Sequence, residues 1–159
     1  MYNTHNFLSM KKIFILCLLT IFVVSCKPTI DTKSQVGLKG NWKITNVSYP
    51  GSEYFKATSF QIADSKCFIG STWSFVSNNN KGTMALTQCT DFQSDIVWSI
   101  TPEKEFTLKF IGEDAKARKV TQGYRMRVAN QSENSFQLID KITVGTNTAD
   151  IVYQFQRTN

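Results

Sequence analysis

From Asp95 to the end of the chain, apolar and polar residues alternate with a period of two in run after run. Ile96, Trp98 and Ile100 share one side of their run, opposite Asp95, Val97 and Ser99. Phe106, Leu108 and Phe110 alternate with Glu105, Thr107 and Lys109. Val120, Gln122, Tyr124, Met126 and Val128 make a longer face against Lys119, Thr121, Gly123, Arg125 and Arg127. Phe136 and Leu138 continue the pattern, and Ile151, Tyr153 and Phe155 close it. Such alternation marks strands with one buried and one wetted face.

The earlier part of the chain reads the same way. Trp42, Ile44 and Asn46 share a face against Lys43, Thr45 and Val47, Trp73 and Phe75 alternate with Thr72 and Ser74, and Met84 pairs with Leu86. Turn signals separate these runs at Tyr49-Pro50-Gly51-Ser52, Ser77 to Gly82, Pro102 and Ile111-Gly112-Glu113-Asp114. Asp64 is placed to cap a short helical turn over Ser65-Lys66-Cys67, and Tyr54 to Ala63 is ambiguous between a short strand and an irregular crossing. About eight strands on short links, without a long helix, imply an antiparallel meander that closes as a barrel or stacks as a sandwich.

The chain of 159 residues is one domain long, and 42% hydrophobic residues with twelve Phe can supply its core. Only 19% of residues are charged, which argues against disorder. The one histidine is His5, so a domain beginning near Val36 has neither a Ser-His-Asp nor a Cys-His catalytic set, nor a His-ligated zinc. The net charge of +6 falls to about +4 without Lys11 and Lys12, and the remainder is spread along the chain. No nucleic-acid motif accompanies it.

The amino end carries its own signal. Lys11-Lys12 precedes the apolar run Ile13 to Val24, with Met10 as a second compact start beside Met1. The run falls short of the ~20 apolar residues of a membrane-spanning helix and fits a cleaved signal peptide. It ends in Val24-Ser25-Cys26, which resembles the lipobox of bacterial lipoproteins. That resemblance implies a signal peptide over 1–25, a Cys26 bearing palmitate-type acyl chains, and anchorage in the bacterial cell envelope, with the outer membrane as the expected site. Lys27 to Gln35 is polar and without period, so residues 26–36 are expected as a flexible tether and 37–159 as the domain.

Leu38-Lys39-Gly40-Asn41-Trp42, at the head of the first strand, looks like the lipocalin signature. Together with the lipobox and Gly70-Ser71-Thr72-Trp73-Ser74-Phe75, the chain resembles the small lipocalin-like lipoproteins common in Bacteroidetes, over roughly Val36 to Asn159. The resemblance implies an all-β fold, an eight-stranded antiparallel up-and-down barrel. It also implies that Trp42 closes the barrel floor with a late basic residue over it, for which Arg157 is the match.

Two cysteines remain for the domain. Cys67 and Cys89 form an even pair in an oxidising compartment and are expected as a disulfide, with free thiols or a redox pair as alternatives. The carboxylates Glu103, Glu105, Glu113 and Asp114 read as solvated turns, and Asp140 and Asp150 flank a polar loop without a visible partner. No metal site, cofactor or catalytic residue is nominated. The inward set Phe75, Met84, Trp98, Phe106, Leu108, Gln122, Tyr124, Met126, Phe136 and Tyr153 packs as core or lines a ligand pocket. Two functions follow as expectations. One is a membrane-anchored carrier of a small hydrophobic or amphipathic ligand, without catalysis. The other is a filled barrel that serves as an interaction module for an envelope protein or glycan. An apolar cavity of several hundred Å³ points to the first and an interior packed by its own aromatics to the second.

Overall fold

A computed structural model describes residues 30–51, 56–112 and 116–158. The segment expected as a signal peptide and Cys26 lie outside the described residues, as do Glu113 and Asp114. A short helix, α1 (Thr32–Gly37), leads into β1 (Gly40–Ser48). A strap follows, containing the two-residue strands β2 (Thr58–Ser59) and β3 (Ala63–Asp64) and the 3-10 turn Ser65–Phe68. The wall then continues with β4 (Thr72–Val76), β5 (Lys81–Leu86), β6 (Phe92–Ile100), β7 (Glu105–Ile111), β8 (Tyr124–Ala129), β9 (Ser135–Val144) and β10 (Asn147–Arg157).

Eight of these strands close a barrel in the order β1-β10-β9-β8-β7-β6-β5-β4, with every neighbouring pair antiparallel. The expected all-β, up-and-down architecture is the one found. Closure gives each wall strand two partners and leaves no open edge. Among the described residues, β2 and β3 form a separate two-stranded sheet.

The inner face is aromatic from end to end. Trp42 meets Phe136 edge-on at 4.7 Å between ring centroids, and Phe136 stacks on Phe155 at 4.4 Å. Phe155 touches Trp73 at 5.7 Å, and Phe75, Trp98 and Phe106 fill the opposite side with spacings of 4.9 to 5.9 Å. All of these rings are buried. The three indole N–H groups donate to the Leu38 carbonyl, the Ser71 hydroxyl and the Lys81 carbonyl, as buried donors must.

Four sequence expectations are corrected. The stretch expected as a tether is ordered from Asp31 on: Asp31 caps α1, and Gln35 is buried under the barrel. Six residues are too few to show a helical period, and the helix is held by tertiary bonds. In β1 the register shifts between Ile44 and Asn46, so Thr45 is the extra residue of a bulge. Asn46 therefore faces solvent, and Val47 turns into the core. β8 begins at Tyr124, because Ala117–Lys119 winds into a 3-10 turn, so Val120 and Gln122 lie before the strand. Finally, Asp140 and Asp150 sit within β9 and β10, which extend to Val144 and Asn147.

Candidate functional site

The two ends of the barrel are closed differently. The floor is closed by α1 and the last residue of β10. Arg157 stands over the Trp42 ring, 4.2 Å from its centroid. Its guanidinium also donates to the carbonyls of Glu133, Lys39 and Gly37 at 2.7 to 3.1 Å. Gln35 plugs the remaining gap. Its amide donates to the Ser77 carbonyl at 3.2 Å and to the Asn80 side chain, and its oxygen accepts from the Ile100 amide at 3.3 Å. Asp31 pairs with Lys104, which also reaches the Ser34 hydroxyl. That ammonium first, and then the amide and hydroxyl of Ser34, hold the Asp31 carboxyl well below the usual carboxylate range.

The opposite end is closed by the strap, which is not part of the wall. Phe60 points into the barrel and is only 6% exposed. Its ring lies 5.2 to 6.4 Å from those of Phe68, Trp73, Phe110, Tyr124 and Tyr153. Phe60 and its neighbour Gln61 both hold left-handed backbone, with φ of 54° and 57°. That conformation costs a residue with a Cβ on the order of 1 kcal/mol. Two wall phenols hold the strap down. The Tyr124 hydroxyl donates to the Phe60 carbonyl at 2.7 Å, and the Tyr153 hydroxyl is hydrogen-bonded to that of Ser59.

The base of the strap is fixed more firmly. Tyr49 and Ser65 share a hydrogen bond of 2.6 Å, and Ser65 reaches the Ala57 carbonyl at 3.0 Å. The Asp64 side chain caps the 3-10 turn through the Lys66 amide. Cys67 forms a disulfide with Cys89, tying this turn to the link between β5 and β6.

Polar side chains on the inner face gather at this strapped end. Ser94 is buried and bonds the carbonyls of Asp95 and Ile111. Asp140 stands in register with the buried Ile151, which puts it on the inner side of β9. Burial first, and then the charge of Asp150, raise its pKa. Burial likewise raises the Tyr124 and Tyr153 phenols.

The ten candidate pocket residues divide accordingly. Tyr124 and Tyr153 face the strap. Phe75, Met84, Trp98, Phe106, Leu108, Met126 and Phe136 are buried among one another and the rest of the core. Gln122 is exposed and lies before β8. Sequence reasoning did not nominate Ser59, Phe60 or Asp140 for a site. A phenylalanine in a stretch without period was the available signal for the strap. For Asp140 it was the even spacing from Phe136 and Leu138.

Among the described residues, surface depressions of about 460 to 670 Å³ lie on the outer wall and the floor. Among the described residues, no three His, Cys, Asp or Glu gather where they would hold a metal ion, and no helix is long and apolar enough to cross a membrane. No family model, curated protein or solved structure matches the chain.

Proposed function

We propose that this domain is a non-catalytic binding barrel, held in the bacterial envelope by lipid on Cys26, that takes a small apolar or amphipathic molecule at its strapped end. The observation that carries the reading is the contrast between the two halves of the interior. Towards the floor the rings of the wall pack on one another. At the other end the wall's rings and inward polar groups are covered by a strap that the barrel does not need for closure. An apolar lining with a few convergent polar groups is how small-molecule sites are built. The anchor rests on Val24-Ser25-Cys26 after an apolar run, and the lack of catalysis on a chain whose one histidine is His5.

A second reading has its own support. The interior is packed by its own aromatics from the floor up to Phe60, as a filled barrel requires, and one outer depression is bordered by Glu105, Arg125, Arg127 and Lys141. These features suit a filled barrel that meets an envelope protein or glycan through its wall. Native mass spectrometry of the full chain, purified from membranes, separates the two. A co-purifying small molecule, or uptake from a panel of lipids and aromatic compounds, supports the carrier. A clean apo mass with no uptake supports the interaction module. For the anchor, Cys26→Ala is expected to move the protein from the membrane pool to the soluble pool, and an unchanged membrane pool refutes it.

A further inference from the structure

We infer that Ser59 and Phe60 occupy a ligand site and stand in for an uncharged, planar aromatic molecule that carries a hydrogen-bond acceptor such as a carbonyl. This rests on the carrier reading and specifies its ligand.

The strap offers the wall three groups: a six-membered ring, a carbonyl oxygen and a hydroxyl. The ring sits in a cup of five other rings, stacked on Tyr153 and edge-on to Tyr124. The carbonyl accepts a hydrogen bond from the Tyr124 hydroxyl, and the Ser59 hydroxyl is hydrogen-bonded to the Tyr153 phenol. A small aryl ketone or aldehyde presents the first two groups on one rigid frame, and a hydroxyl on that frame supplies the third.

Little holds these two residues in place apart from the contacts a ligand would replace. Their strand pair has two rungs, Thr58 with Asp64 and Ser59 with Ala63, closed by the Ile62 amide on the Ser59 carbonyl. The left-handed backbone at Phe60 and Gln61 is not a preference of either residue. It is the geometry a tight hairpin turn asks of its two central residues, here closed by the Ile62 amide on the Ser59 carbonyl, and the cup around the ring adds to what holds it there. The base of the strap is tied by the disulfide and by Tyr49 with Ser65, so the part that yields lies within residues 58–64. Asp140 limits the ligand's charge. It faces the same end of the interior, close enough to Tyr153 to act on its phenol, and a carboxylate there repels an anion.

The test uses para-fluoroacetophenone, followed by fluorine NMR, on the wild-type protein and on Phe60→Ala. Removing the ring that must be displaced is expected to tighten binding about tenfold or more, since the competent state no longer has to be opened. In the Phe60→Ala background, Tyr124→Phe is expected to weaken the ketone roughly fivefold and leave para-fluorotoluene unchanged. Para-fluorobenzoate is expected to bind more weakly than the ketone to every form.

A second measurement does not depend on a variant folding. Saturating the wild-type protein with the ketone is expected to speed amide hydrogen exchange at Ile62 and to leave Phe136 and Phe155 unchanged. Equal affinities of wild type and Phe60→Ala, binding blind to the carbonyl, or an unaltered Ile62 would each overturn the proposal. Uptake of lipids that is indifferent to Phe60 would overturn it while leaving the carrier reading standing.

Discussion

A Cβ on Gly40 would lie 2.5 Å from Nη1 of Arg157, so the guanidinium fills the space a side chain there would need. Gly40 also has a φ of +124°, which residues with a Cβ rarely adopt. The glycine of Gly-x-Trp is thus the doorway through which the last strand reaches the tryptophan of the first. Gly40→Ala is expected to destabilise the barrel by about 2 kcal/mol or more, read as a lower urea midpoint at unchanged slope. An unaffected midpoint would mean that the floor can rearrange around the methyl.

Arg157→Lys keeps the charge and loses the fork. One ammonium cannot reproduce bonds to Glu133, Lys39 and Gly37 while lying on the Trp42 ring. The expected loss is about 2 kcal/mol, with a change in Trp42 fluorescence as the cation leaves its face. Wild-type stability in the lysine variant would show that charge alone suffices.

Breaking the disulfide frees the base of the strap. The bond spans 22 residues, for which the chain-entropy account gives about 3 kcal/mol. Cys67→Ser with Cys89→Ser is expected to lower stability by that order and to speed proteolysis between Ala57 and Gly70 ahead of the wall. Cleavage that starts equally in β7 or β9 would contradict a strap that loosens by itself.

The floor is expected to respond to acid. The Asp31 carboxyl is held low by Lys104 and Ser34. A depressed folded pKa stabilises above the unfolded value of about 4, and that stability is lost as pH falls through the folded one. Wild type should therefore exceed Asp31→Asn in urea midpoint at neutral pH, and the gap should close progressively below about pH 4. Lys104 is half-exposed, so salt should also narrow the gap. A gap that does not narrow at all between about pH 5 and pH 2 would point to the helix cap rather than the charge.

Asp140 is expected to behave in the opposite sense. Its pKa is raised by burial and by Asp150, so ionising it costs stability as pH rises above the unfolded value. Asp140→Asn should therefore match wild type in strong acid and exceed it at neutral pH. Equal stability of the two proteins at neutral pH would show that the inward carboxylate is hydrated at no cost.

The wall was legible in the sequence because burial on one side of a strand imposes a period of two. Trp98 with Ile100, Phe106 with Leu108, and Tyr153 with Phe155 all face inward as the alternation requires. Legibility failed where one residue resets that period. The bulge at Thr45 exchanges the faces of Asn46 and Val47, and no residue type there announces it. It failed again where order comes from tertiary bonds alone. α1 is held by Gln35 and Asp31 reaching across the floor, and Phe60 by two phenols far along the chain. Local pattern contains none of those partners, so the strapped end was the part least visible beforehand.

The route of the chain also fixes how the molecule is oriented. Asp31 bonds the end of β6, Thr158 bonds Asn41, and Arg157 grips carbonyls on either side of Leu38. Entry and exit thus share one pole, and the pole with Phe60 carries neither. A tether attached before Asp31, or a fusion added after Thr158, meets the barrel at its base and leaves the far rim to the surroundings.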